Sequence, residues 1–405
     1  MSDSTEAPQP NTADVRFDLR PLLFSTMAGT MAMMAFVSLV GPIARLLGLQ
    51  AWQAGAAVTV SGVLWLLLAR PWGNASDRLG RRRILLLGSA GVTLSYVLLA
   101  VFVDVALRLQ PIAALSFLGL LLGRGAVGAF YAALPAAGQA LIADNYPPRQ
   151  RAAALASLGA ANAVGMVLGP AIAALLARHS LSLPLYAMSV LPLLGFLALL
   201  TRLQRQEHHL QRVAQSIRLG DARLRRPMLA AFVAMFCVAV AQITVGFFAL
   251  DRLGLAPGAA AQAAGVALTT VGVALILAQL LVRRLDWAPQ RLIRFGALVA
   301  GIGFAGTSLA LQAWQLWLAF FVAAAGMGWV FPAFSALAAN AVNADEQGST
   351  AGSMGAAQGL GVVLGPLAGS LLYGVEPRLP YLLVGALLVL VALWPEPAAD
   401  TVQAG

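Results

Sequence analysis

The chain alternates long apolar stretches with short polar segments, and most of the stretches are longer than a buried core helix requires. Each holds about twenty residues with few charges, the length that carries an α-helix across a roughly 30 Å hydrocarbon layer. On this pattern, spans are predicted at residues 21–47, 52–70, 84–103, 111–142, 152–177 and 181–201, then at 228–250, 259–282, 292–311, 313–340, 347–373 and 379–394. Residues 1–20 are polar, carry Pro8 and Pro10 and show no cleavable leader, so they are expected to form a disordered cytoplasmic tail. Residues 202–227 hold seven arginines with His208 and His209 and no run able to cross, which marks a linker between two sets of six; residues 395–405 form a second tail. The expected fold is all-α and transmembrane, with twelve helices in two six-helix bundles at 21–201 and 228–394.

Composition narrows the class. The chain is 60% hydrophobic and 10% charged, against roughly 25% charged in ordinary soluble domains, which excludes a soluble enzyme. The single Cys237 excludes a disulfide framework or a thiolate metal site; no metal and no cofactor are expected. All 26 basic residues are arginine, and they fall in short loops rather than in a nucleic-acid patch. Placing the linker in the cytoplasm puts 20 arginines inside and 5 outside, with Arg124 within a span. That bias predicts a multi-pass protein of a bacterial inner membrane with both termini cytoplasmic.

A repeat supports the division into halves. Ser157–Pro170 (SLGAANAVGMVLGP) and Ser353–Pro366 (SMGAAQGLGVVLGP) match at nine of fourteen positions with an offset of 196, making spans five and eleven equivalent. Small residues at Gly165, Gly169, Gly361 and Gly365 permit close helix approach, and Pro170 and Pro366 each remove a backbone hydrogen bond and allow bending. Parallel six-span repeats place a substrate site near the midplane between the halves. From lining positions there, Met31, Met34, Tyr131, Asn162, Gln242, Phe247, Trp329 and Gln358 are the candidate substrate contacts, combining adaptable apolar surface with directional amides.

The segment Gly73-Asn-Ala-Ser-Asp77-Arg78-Leu-Gly80-Arg81-Arg82-Arg83, the fourth-span Gly-Arg124-Gly-Ala-Val-Gly128 and the fifth-span Gly165-Met-Val-Leu-Gly169-Pro170 together resemble the major facilitator superfamily. The similarity is to its twelve-span drug:proton antiporters and covers Pro21 to Trp394. It departs where Val127 stands for a frequent glutamine and where Ala173 and Ala174 stand for two glycines. By resemblance, Asp77 meets a helix N-terminus and an arginine across the interface between halves and locks one face, with Asp144 and Arg151 joining its network. Asp345 and Glu346 take the corresponding place in the second half, where the loop from Arg283 to Arg294 has lost the full signature and weaker gating is expected. Arg124, expected to face a cavity or a polar partner, assists proton movement or binds substrate by the same likeness.

No acid lies in the middle of a span, and span one offers only Ser25, Thr26, Thr30 and Ser38 as polar groups. Asp104 and Asp251, at the outer ends of spans three and seven, are the remaining candidates for a titrating group. The resemblance implies a monomeric secondary transporter, exporting a small, partly apolar compound in exchange for protons. An importer or facilitator of a neutral or anionic metabolite stays open as the alternative, and a non-transporting sensor or enzyme as a remote one.

Overall fold

A computed structural model of the chain describes residues 17–204, 221–285, 287–343 and 346–394. The tail before Phe17, His208 and His209 in the linker, Asp345 and the tail from 395 lie outside the described residues. Thirteen α-helices follow in order: α1 Arg20–Leu46, α2 Ala51–Leu79, α3 Arg81–Leu109, α4 Ala113–Tyr131, α5 Ala133–Asn145, α6 Pro148–Leu176 and α7 Leu183–Arg202. After a 3₁₀ turn at Ala222–Leu224 come α8 Arg225–Asp251, α9 Pro257–Leu285, α10 Pro289–Thr307, α11 Ala313–Asn340, α12 Gln347–Val375 and α13 Leu379–Leu393.

Helices α4 and α5 are one crossing, Ala113–Asn145, interrupted at Ala132. Pro135 causes the break: it has no N–H to give to the Tyr131 carbonyl one turn earlier. Trp72 of α2 braces it by donating its Nε1–H to the Ala129 carbonyl at 2.8 Å. With these two joined, ten helices among the described residues are long and apolar enough to cross a bilayer, and α10 and the 15-residue α13 complete twelve. At 1.5 Å per residue α13 extends about 22 Å, so it needs a locally thinned bilayer or flanking residues that reach the interface.

Two boundaries differ from the sequence expectation. Helix α2 runs on to Leu79 rather than ending near residue 70, so Asp77 and Arg78 sit in its last turn and not in an open loop. The reversal into α3 falls on Gly80 alone, at φ 94° and ψ 140°, a region closed to side chains with a Cβ. The tail expectation fails for its last four residues. Phe17 is buried, edge-on to Tyr146 at 6.3 Å, and the Tyr146 hydroxyl donates to the Phe17 carbonyl at 3.1 Å. An apolar cluster of Leu22, Ile84, Leu85, Ile142, Leu199 and Leu203 gives that ring its place.

Helices α1–α7 form one bundle and α8–α13 the other, with matching internal seams. Helix α6 lies directly on α1, and a Cβ at Gly165 would fall 2.7 Å from the Met27 carbonyl oxygen, while one at Gly169 would overlap the Met31 carbonyl. Helix α12 lies on α8 the same way, a Cβ at Gly365 falling 2.6 Å from Ala239 Cβ and one at Gly361 2.7 Å from the Phe236 nitrogen. In lipid, where apolar helices gain nothing by leaving the solvent, such backbone contact is the available source of attraction. Arg81, Arg82, Arg202, Arg223 and Arg291 mark one end of the molecule, called here the basic end; Arg45, Gln110, Arg252 and Glu376 mark the far end.

Gly80→Ala should destabilise the protein by about 1–3 kcal/mol through backbone strain. The check is thermal unfolding in detergent: a lowered midpoint is expected, and an unchanged one would mean the α2–α3 reversal tolerates a Cβ.

Candidate functional site

The halves meet along two seams that close at the far end and part at the basic end. On the α2–α12 seam, a Cβ at Gly55 would fall 2.6 Å from the Pro366 carbonyl oxygen. One turn on, Thr59 Oγ1 donates to the Val363 carbonyl and accepts from the Leu367 N–H, both at 3.1 Å. The nearest approach at Gly62 is 3.2 Å and at Gly359, against Trp65, 3.7 Å; at Gly73, Gly352 and Gly355 no described atom comes within 4 Å. The α6–α9 seam behaves alike. Gly265 would meet Pro170 O at 2.7 Å and Gly272 meets Val167, whereas Gly159, two turns nearer the basic end, meets nothing within 4 Å. The result is a cleft between the bundles, shut at the far end and open at the basic end.

A cluster on the ends of α1, α8 and α12 shuts it. Arg45 Nη2 pairs with Asp251 Oδ2 at 2.6 Å, and the Tyr373 hydroxyl donates to the same oxygen at 3.1 Å. The Arg45 guanidinium lies 5.2 Å over the Phe247 ring, which in turn contacts Tyr373 at 5.8 Å. Beneath them the chains touch backbone to backbone, a Cβ at Gly41 falling 2.8 Å from Phe247 N. Gln262, with its amide oriented to match, accepts two bonds from the Arg178 guanidinium, the longer 2.9 Å. Phe247 therefore does not line the cleft; it is fully buried as the floor of this lock.

The cleft wall of the first bundle carries a polar chain. Thr30 Oγ1 donates to Asn162 Oδ1 at 2.7 Å and lies 2.9 Å from the Tyr131 hydroxyl, joining α1, α4 and α6. The α4 break puts Tyr131 at its helix end, and Gly29 leaves room for the ring, whose edge a Cβ there would meet at 3.2 Å. Met34, Gln242 and Gln358 are half-buried on α1, α8 and α12. Two other candidates turn away. Met31 is buried where α6 lies on α1, and Trp329 packs toward α10, edge-on to Trp287 at 6.0 Å, its buried Nε1–H finding no acceptor among the described residues.

Arg124 is 1% exposed and faces neither open cavity nor carboxylate. Its guanidinium lies 4.7 Å over the Phe36 ring, a cation–π contact, and its Nε and Nη1 find no acceptor among the described residues. Asp104 pairs with Arg108 at 2.9 Å and accepts from the Tyr186 hydroxyl at 3.2 Å, tying α3 to α7 inside one bundle.

At the basic end the charges also stay within each half. Arg81 pairs with Asp77 and with Asp144, the latter at 2.9 Å, and Arg151 Nε donates to the Tyr146 carbonyl at 2.8 Å. Arg82 donates to the Leu203 and Leu200 carbonyls at 2.9 and 2.7 Å, satisfying the end of α7. Arg78 is exposed. The expected reach of Asp77 across the interface is absent here because the cleft is open at this end. In the second half Glu346 finds its cation in the linker: Arg223 bonds it at 2.8 and 3.0 Å and holds Asp221 at 2.8 Å. These bonds pull both carboxyls below their ordinary range and push Arg223 up. Carboxylates so lowered contribute above their unfolded pKa and are lost only as pH falls through the lowered value, so the clamp persists at neutral pH.

Sequence reasoning passed over Thr30, Arg45, Tyr373 and Arg223. The signal available for one of them was that Arg45 and Asp251 lie at the same ends of equivalent first helices.

Comparison with known proteins agrees with this geometry. The family model described as Major Facilitator Superfamily matches residues 22–352 and 258–403. A class C tetracycline resistance protein of Escherichia coli is 30% identical over 369 residues, covering 84% of this chain and 85% of its own. A class G tetracycline resistance protein of Vibrio anguillarum is 26% identical over 364 residues, covering 84% and 86%. Among solved structures, an inward-facing, occupied bacterial homologue of the human lysosomal transporter Spinster superposes with a TM-score of 0.71 at 15% identity, covering 95% of this chain and 96% of that one. Two equivalent bundles around a one-sided cleft, and a family match along nearly the whole sequence, place the chain in the major facilitator superfamily.

Proposed function

We propose that the protein exports a small, partly apolar compound from a bacterial cytoplasm across the inner membrane in exchange for protons, acting as a monomer by alternating access. The observation that carries this reading is the cleft itself, sealed at Arg45–Asp251 and open where Asn162 and Gln358 stand. The arginine-rich end is the cytoplasmic one by the positive-inside bias, so the termini lie inside and the structure is inward-facing. Relatives named for tetracycline resistance support export over import.

In this scheme cargo enters from the cytoplasm and settles against Thr30, Tyr131 and Asn162. The bundles then rock: the far-end lock opens, and Asp77, Arg81 and Asp144 come within reach of the opposite half to shut the basic end. Of the two acids considered for coupling, Asp251 lies at a contact that must break, whereas Asp104 ties helices of one bundle. Loss of the Asp251 charge would release Arg45 and favour opening of the far end. Arg124 fixes a positive charge between α1 and α4 that moves with the first bundle.

In inside-out vesicles energised to an acidic lumen, adding tetracycline should partly collapse the pH gradient; no collapse with tetracycline or with any of a panel of cationic, neutral and anionic compounds rejects proton-coupled export. Arg124→Ala should abolish energised flux while leaving membrane insertion intact, and unchanged flux would remove Arg124 from the mechanism. Asp251→Asn should weaken the lock by about 0.2–1 kcal/mol, roughly 1.4- to fivefold in the outward-open population. The readout is maleimide labelling of Gln242→Cys, in a Cys237→Ala background, from the far side; labelling no faster than in the parent would show that the pair is no gate.

A further inference from the structure

We propose that the cleft selects neutral or anionic molecules presenting hydrogen-bond acceptors, such as carbonyl or enolate oxygens, and rejects permanent cations; the proposal rests on the cleft being the transport site. Two independent observations lead there, the direction of one hydrogen-bond chain and the placement of every charge.

A proton count fixes the direction of the chain. Thr30 Oγ1 has one proton and gives it to Asn162 Oδ1 at 2.7 Å, so in its 2.9 Å contact with Tyr131 the tyrosine hydroxyl is the donor. The amide orientation of Asn162 has its own support: Nδ2 lies 3.8 Å from Met166 Sδ, a sulfur that can only accept. The chain therefore runs Tyr131 to Thr30 to Asn162. Its free end is the Asn162 NH₂, which among the described residues meets that soft sulfur, on the wall where the cleft opens toward Gly159. A ligand reaching it must bring an acceptor.

The charges point the same way. All sixteen acids fall in tails, loops, the linker or helix ends, and the three nearest the seams, Asp77, Asp144 and Asp251, are each paired with an arginine. The charge placed within a span is positive, Arg124, whose Nε and Nη1 find no acceptor among the described residues. A permanent cation entering the cleft would shed water without a counter-charge.

The test is equilibrium binding of radiolabelled chloramphenicol (neutral), nalidixate (anionic) and tetraphenylphosphonium (permanent cation) to the full-length protein in lipid nanodiscs, with vesicle flux measured separately. Wild type should bind at least one of the acceptor-bearing probes about tenfold or more tightly than the cation. Thr30→Val, which keeps the shape but removes the relay, should weaken acceptor binding about three- to tenfold without changing elution or thermal stability. Asn162→Asp should reverse the preference, gaining the cation and losing the acceptors. Cation binding equal to or tighter than both acceptor probes in wild type, no binding of either acceptor probe, or an unchanged preference in Asn162→Asp would overturn the proposal. A protein that binds the acceptor probes in this order yet moves none supports the cargo class and counts against the exporter reading instead.

Discussion

Lipid offers no water to hydrogen-bond a bare peptide group or to hydrate a charge, and the architecture follows from that. Backbone groups must be satisfied within helices, so the described segments that cross are helical, and the break at Ala132 occurs where Trp72 supplies a donor to a nearby carbonyl. Attraction between helices cannot come from leaving the solvent, so it comes from contact, and the glycines of α6 and α12 allow α1 and α8 to be touched at the backbone. Charges are pushed to the two ends, where they become latches. Arg124 is the exception, held over Phe36 at a cost that an insertion scale puts at about 2.5–3.5 kcal/mol.

A latch made of exposed charges is weak, and an alternating machine needs that. Arg45 and Asp251 are about one-third exposed, a setting in which ion pairs contribute about 0–1 kcal/mol. The tight inter-half contacts at Gly41, Gly55 and Gly265 add shape matching, and buried residues of both halves join one apolar core. Opening the far end therefore has to draw on cargo binding as well as on loss of the ion pair, because a ligand shifts two states only by its differential affinity for them. At the basic end Asp77 and Asp144 both pair with Arg81 inside the first bundle.

The spans, the linker position and the repeat were legible because hydropathy and small-residue spacing report directly on lipid contact and close packing. The end of α2 was not: Asn74, Ser76 and Asp77 lower the local hydropathy, yet the helix continues past the lipid until Gly80 stops it. The break in the fourth crossing was written in Pro135 and left unread. Facing was the weakest signal. In helices apolar on every side, hydropathy carries no rotational information, so Met31, Phe247 and Trp329 were assigned to a cleft that each turns away from. Asn162 stood out because a polar group in lipid needs a partner, and the structure joins it and Tyr131 to Thr30, which was visible on a helix with few polar residues. The reach of Asp77 depends on conformation, which one sequence cannot specify.

The central claim is that closure at one end and opening at the other are two settings of one rocking motion. Spin-label distances test it directly, with one pair at Gly73 and Gly355 across the basic end and another at Gln50 and Ala256 across the far end, in a Cys237→Ala protein reconstituted in lipid. On adding cargo at acidic pH, the Gly73–Gly355 distribution should shorten as the Gln50–Ala256 distribution lengthens. Distances that stay fixed at both ends, or that lengthen together, would contradict it.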